Sequence, residues 1–261
     1  HRFNDRLENS IGPEHRAASE ALEREYLQRI EAIDPSGLGA QDRLSWEIFR
    51  RERIPALEGM QFPAHLMPIN QMFSLPSLMA MLGSGRSAQP FATITDYDNF
   101  LGRIDDFTVW VDQAIANMRE GVEKGVVQPR VIMEKVLPQL AVHVVDEPEQ
   151  SLFWGPVAAM PEGLAEEDRV RLTAAYRDAI AGQIVPAYSR LHDFIETEYM
   201  PHTRESVAWA ELPDGADWYA YRARVSTTTT LSARAIHELG LAEVARIRSE
   251  MEQVPDSVGF E

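Results

Sequence analysis

A histidine followed by a glutamate, His237-Glu238, lies in a stretch with helical periodicity and matches the first half of the zinc motif HExxH. The full motif needs a second histidine four residues later, because positions i and i+4 share a helix face and can hold one ion. Leu241 occupies that position, and an apolar side chain cannot ligate zinc. The pattern therefore predicts no metal at this pair, and we expect His237 to be a surface or packing residue.

Two other groups combine histidine with acidic side chains. His192 and Glu196 stand four residues apart, with Glu198 and His202 beyond them. They could ligate a metal with help from elsewhere, although charged pairs at this spacing are also routine on exposed helices. The second group, at residues 143–149, follows a predicted helix end and contains a proline. It is typical of a solvated acidic turn.

The best local candidate for ligand contact is the segment 212–230, LPDGADWYAYRARVSTTTT. Tyrosine hydroxyls, two arginines and several threonines follow a tight turn, and arginine with tyrosine would suit a carboxylate or a peptide backbone. A helix with exposed arginines and a threonine-rich end fits the same residues. The sequence holds no GxSxG, Walker or GxGxxG motif, so its residues alone form no specific catalytic constellation.

Composition narrows the function classes. The 261 residues carry 41 acidic and 25 basic side chains, a formal net charge of −16, which argues against general nucleic-acid binding. Cysteine is absent from the sequence, which excludes disulfides, thiolate metal sites and cysteine nucleophiles and fits either the cytoplasm or the periplasm. No apolar run is long enough to predict a membrane span. Because the sequence starts with His1, we expect a removed leader or a trimmed chain.

Helical periodicity predicts an all-α fold, a multi-helix array in one continuous region over residues 1–261. Helices are expected at about 16–33, 41–60, 95–125, 129–145, 165–199 and 216–225, with a last one capped by Ser232. Thr95 is the predicted N-cap of the third, and Pro186 should kink the longest. Residues 61–94, rich in proline and methionine, predict an irregular apolar connection with at most one short helix.

Four stretches carry a recognisable pattern. They are DYDNFLGRI at 96–104, MREGVEKGVVQPR at 118–130, LPDGADWY at 212–219 and TTTTLSARAIHELGLAEVARI at 227–247. In these stretches the sequence resembles the bacterial "domain of unknown function 885" family. Each is moderately specific alone, and their order and spacing together make the resemblance strong over most of the chain.

The resemblance implies one half of a large helical zinc metallopeptidase-like fold of the gluzincin type, often exported, with about twice this length. Its metal motif would lie downstream, so zinc is expected in the missing C-terminal half and no cofactor in this chain. The chain would form one wall of a substrate cleft and be inactive alone. Tyr219, Thr227 and Thr228, with Arg204 as a weaker candidate, would contact a peptide or small-molecule substrate. A periplasmic or exported location is expected, with the cytoplasm as the alternative.

A different class of function also fits. Because the chain lacks a complete metal motif, it could be a non-catalytic helical binding or scaffold module. In that case the chain would fold cooperatively, bind no zinc and still retain a ligand. A half-domain would instead expose the apolar faces meant for its partner half.

Overall fold

The structure, a computed structural model, describes residues 3–258 and the side chains of residues 3–253. Within that range the chain is helical, with a lone parallel bridge between Pro129 and Arg204 in place of any strand. The all-α prediction is confirmed. The chain divides into two compact units, one ending at Val207 and the other beginning at Ala208. No helix in the described range is long and apolar enough to cross a bilayer.

The first unit contains eight α-helices along its described residues. They are α1 (Pro13–Glu31), α2 (Ala40–Gly59), α3 (Leu75–Gly83), α4 (Ile94–Lys124), α5 (Arg130–Ala141), α6 (Gly155–Ala158), α7 (Glu166–Ala179) and α8 (Val185–Phe194). α1 and α2 pack against each other, α4 packs against α7 and α8, and α5 packs on α8. The apolar side of α4 therefore lies at the centre of the core.

The ends of α4 are set by local chemistry. Thr93 is the N-cap: its hydroxyl accepts from the Asp96 amide, and the Asp96 carboxylate accepts from the Thr93 amide in return. The prediction of Thr95 as the cap was wrong. Asp98 lies three positions after Thr95, but its carboxylate pairs with Arg171, so only Thr93 and Asp96 form the reciprocal pair. Gly125 ends the helix with φ 71°, a conformation that glycine adopts without steric cost.

The longest helical run, from Glu166 to His202, is not a uniform α-helix. Its hydrogen bonding widens to π turns at Ile180–Ile184 and Ile195–Tyr199, closed by bonds from Val185 to the Ile180 carbonyl and from Met200 to the Ile195 carbonyl. Each π turn is followed by a proline, Pro186 or Pro201, which lacks an amide donor and crowds the preceding turn. The predicted disturbance at Pro186 therefore takes the form of a widened turn just before it.

The connection at 61–94 contains α3 and one short 3₁₀ turn, Ala64–Leu66. Leu66, Ile69 and Met79 are fully buried in the unit, whereas Met72 and Phe73 are among its most exposed apolar side chains. The segment is thus partly core and partly surface.

The second unit contains a 3₁₀ turn at Trp209–Glu211, α9 (Gly215–Thr227) and α10 (Ala233–Val258). Trp209 packs edge-on against Trp218, with ring centroids 4.7 Å apart. The hydroxyl of Ser232 accepts from the Ala235 amide, so the predicted cap of the last helix is confirmed. Large apolar side chains along α10 stay exposed, and we call them the α10 stripe. Val244, Ile247 and Met251 share one helix face, and Leu239 and Leu241 flank that face on its two sides.

Candidate functional site

A groove of about 520 Å³ runs between α4 and the α8 segment of the long helical run. Its floor is apolar and its walls carry charges of both signs. Its lining residues are Asp112, Ile115, Arg119, Arg190, Asp193, Phe194, Thr197 and Glu198. The apolar residues project from the buried stripes of both helices, and the charged ones come from the adjoining exposed positions.

Two ion pairs bridge this groove. Arg119 donates to both carboxylate oxygens of Glu198, at 2.9 and 2.7 Å, and Arg190 donates to Asp112 at 3.1 Å. The hydrogen bond between Arg119 and Glu198 raises the pKa of the arginine and lowers the pKa of the carboxyl. The Arg119 guanidinium also lies 5.1 Å from the centre of the Phe194 ring. The groove is therefore charge-balanced and held in shape across the two helices.

Beside the groove, α8 and the π turn after it bring three possible metal ligands together. Donor atoms of His192, Asp193 and Glu196 lie within 4.8 Å of one another. Sequence spacing identified His192 and Glu196, but it paired them with Glu198 and His202 and overlooked Asp193. In the structure Glu198 is bound to Arg119 instead. The adjacent position of Asp193 in the sequence was the signal that could have identified it.

Three of the predicted substrate residues lie in the second unit. Tyr219 on α9 is 50% exposed. The Thr227 hydroxyl donates to the Ala223 carbonyl one turn back, at 2.8 Å, and also lies 3.0 Å from the Thr229 hydroxyl. Thr228 ends α9 in the left-handed conformation, with φ 56°. Tyr219 and Thr227 stand eight residues apart, about 12 Å along the helix axis, so a ligand touching both would be extended.

Arg204, the fourth predicted residue, lies in the first unit and ties chain segments together. Its Nε donates to the Val127 carbonyl at 3.0 Å, and its NH1 donates to the Ser206 carbonyl at 2.7 Å. Its backbone pairs with Gln128 and Arg130 around the parallel bridge. These contacts give Arg204 a structural role that the sequence did not reveal.

His143 is buried, against the prediction of a solvated turn at 143–149. Its ring centroid lies 4.5 Å from that of Tyr188 and 5.9 Å from that of Phe153, and its Nδ1 has no hydrogen-bond partner among the described residues. Burial lowers the pKa of this imidazole. Tyr188, from the long helical run, encloses a residue at the end of α5, a non-local contact that local composition does not predict. The acidic neighbour Glu149 is exposed and pairs with Arg177.

The pair His237-Glu238 lies on the exposed part of α10, where Glu238 accepts a hydrogen bond from Arg234. Leu241 is 60% exposed. No zinc-peptidase ligand set forms around His237 within the described residues. The group of three possible metal ligands in that range lies on α8 and the π turn after it.

Comparisons with known proteins identify the family and the fold of this chain. A family model described as "Bacterial protein of unknown function (DUF885)" matches residues 1–261. The chain belongs to the DUF885 family. A solved structure described as "the putative lipoprotein from Colwellia psychrerythraea" shares the fold, with a TM-score of 0.81 and 17% identity. The match covers 95% of this chain and 44% of that one, so this DUF885 chain spans less than half the length of its structural relative. A search of the curated proteins finds no match.

Two of the stretches that carry the DUF885 resemblance, 96–104 and 118–130, contain residues with structural roles in the first unit. In 96–104, Asp96 completes the helix cap, and Asp98 accepts two hydrogen bonds from Arg171 on α7. In 118–130, Gly121 lies where a Cβ atom would meet the Val126 carbonyl at 2.7 Å. These residues of the two stretches therefore have structural roles in the helical framework.

Proposed function

We propose that this chain is the N-terminal helical portion of a zinc-dependent peptidase or related hydrolase, and that it forms one wall of the substrate cleft. The observation that carries the proposal is the α10 stripe. It leaves five large apolar side chains exposed along one long helix, Leu241 and Met251 at 60% and 65%. An apolar surface of this kind is typical of a face that packs against more protein.

The length of the solved relative supports a second portion of chain as the occupant of that face. More than half of the Colwellia protein lies outside the match, although its fold agrees over 95% of this chain. That relative is described as a lipoprotein, which supports an exported location for this family member too. In this proposal, Tyr219, Thr227 and Thr228 contact the substrate, with Arg204 as a weaker candidate for a further contact.

The zinc that the family resemblance implies does not fit the described residues of this chain as a catalytic ion. His237 lacks its i+4 partner, and the cluster on α8 contains a single histidine. The catalytic metal of the proposed enzyme therefore belongs to sequence outside this chain, and no reaction step runs through the residues described here.

Hydrolysis of a mixed peptide library, followed by mass spectrometry, tests the proposal. We expect cleavage by a longer chain that contains these 261 residues and matches the Colwellia relative over its full length. A chelator should abolish this cleavage, and added Zn²⁺ should restore it. The 261-residue chain alone should show none. Cleavage that resists the chelator would refute the zinc-dependent mechanism. A 261-residue chain that stays monomeric, exposes no dye-binding apolar surface and retains a ligand would favour the binding-module alternative.

A further inference from the structure

We propose that His192, Asp193 and Glu196 form a binding site for a divalent transition-metal ion at the edge of the α4–α8 groove. This site is separate from the catalytic zinc of the proposed hydrolase and does not depend on it. One imidazole and two carboxylates are a ligand set suited to Zn²⁺ and its neighbours, because imidazole favours these ions over Mg²⁺ and Ca²⁺.

The geometry of the first two ligands already matches a chelate. His192 Nδ1 and Asp193 Oδ1 are 3.2 Å apart. Two donors that each lie about 2.1 Å from one ion, at an angle of about 100°, are separated by roughly 3.2 Å. The spacing of these two atoms therefore suits one shared ion without movement of the helix backbone. The imidazole is partly shielded, with 21% of its side chain exposed, which limits its rotamer freedom.

The third ligand is free to close on the ion. Glu196 lies four residues after His192, on the same helix face, and makes no hydrogen bond or ion pair with another described residue. The side chain of Glu196 is exposed, and one of its carboxylate oxygens lies within 4.8 Å of a ligand atom of each of the other two residues. Rotation of this side chain can therefore bring that oxygen to the ion. Ser189 donates to the other carboxylate oxygen of Asp193 at 3.3 Å and so helps to orient this ligand.

The surrounding charges do not oppose a cation. The two arginines that line the groove, Arg190 and Arg119, are each paired with a carboxylate. The chain as a whole carries a formal charge of −16, which raises the local concentration of cations. Asp193 lines the groove as well as the cluster, so the open coordination positions of a bound ion lie next to the groove.

Isothermal titration of the 261-residue chain with Zn²⁺ tests the site, with His192→Gln and Glu196→Gln as variants and His237→Gln as the matched control from the other His-Glu pair. We expect one saturable site, weakened about tenfold or more by each of the first two changes and unaffected by the control. Zn²⁺ should also raise the melting temperature of the unmodified chain but not that of His192→Gln, and excess Mg²⁺ should not displace it.

Two results would overturn the proposal. Binding that does not saturate at one ion per chain, or that survives His192→Gln unchanged, would mean an adventitious ion only. Because the three ligand positions carry polar side chains at the surface, the variants should keep the circular dichroism spectrum of the parent chain. A variant that fails to do so is replaced by Asp193→Asn, for which the same weakening is expected.

Discussion

Replacing Tyr199 with phenylalanine should destabilise the first unit by a measurable amount. The Tyr199 side chain is fully buried, and its hydroxyl oxygen accepts a hydrogen bond from the Gln128 amide at 2.8 Å. Burial raises the pKa of this phenol to about 12, so the hydroxyl stays neutral at physiological pH. The bond joins the end of the long helical run to the segment between α4 and α5, beside the bridge between Pro129 and Arg204.

The magnitude follows from what the substitution leaves behind. Tyr199→Phe keeps the ring and its packing on Phe194, at 6.1 Å between centroids, but removes the acceptor. The backbone amide of Gln128 has a single donor hydrogen, and an unpaired buried donor costs about 1–3 kcal/mol. For a unit of this size, about 2 kcal/mol lowers the melting temperature by roughly 4–8 °C.

Urea unfolding followed by circular dichroism measures the free energy, and hydrogen exchange measures the Gln128 amide itself. We expect lower stability and faster exchange at that amide in Tyr199→Phe. Tyr219→Phe is the matched control, because the Tyr219 side chain is half exposed and its change should stay within about 0.5 kcal/mol. A loss for Tyr199→Phe no larger than that of the control would refute the reasoning, since it would mean that water replaces the hydroxyl.

Three further predictions concern single side chains. Gly121→Ala should cost about 1–3 kcal/mol in thermal unfolding, because its Cβ would lie 2.7 Å from a backbone carbonyl, while Gly240→Ala on open α10 should gain about 0.5–1 kcal/mol. Burial lowers the pKa of His143, so the folded state binds fewer protons than the unfolded state and stability should fall as pH drops below about 6.5. His143→Phe should flatten that fall between about pH 7.5 and pH 5.5, and an unchanged slope in urea titrations would contradict it. Arg204→Gln should lower the melting temperature, with about 1–3 kcal/mol lost at two carbonyls; an unchanged melting temperature would contradict the structural role of these two bonds.

Local patterns were enough to predict most of the fold. The apolar spacing around Leu22 and Tyr26 predicted α1, and Ser232 predicted the start of α10, because both depend on residues within a few positions. The cap of α4 was missed by two residues, since two threonines compete and only the reciprocal bond to Asp96 decides between them.

The candidate site was harder to predict because its geometry is non-local. The groove depends on ion pairs such as Arg119 with Glu198, 79 residues apart, and no sequence pattern reports that distance. Arg204 was predicted to contact substrate, and this stays a prediction. Its hydrogen bond to the Val127 carbonyl, 77 residues away, is a structural role that no sequence pattern indicated. Burial of His143 likewise depends on Tyr188. Of the metal ligands, the pair at helical spacing was predicted, and the adjacent Asp193 could have been named as a candidate. The side-chain positions show that Asp193, and not Glu198, joins the pair.

The π turn at Ile180–Ile184 affects the spacing of the buried side chains along the long helical run. Its fully buried side chains from Leu172 to Tyr188 follow one another in steps of four: Leu172, Tyr176, Ile180, Ile184 and Tyr188. In a regular α-helix each such step overshoots a full turn by about 40°, so four steps would rotate the stripe by roughly 160°. The wide turn at 180–184 accommodates one extra residue, which corresponds to about 100° of rotation. It therefore takes up most of that surplus, and the side chains at both ends stay buried. The π turn therefore contains one residue more than a regular α-helix would need at this place. Deleting Gly182, where no atom lies within 4 Å of an added Cβ, should disturb the core far less than deleting a residue within α8.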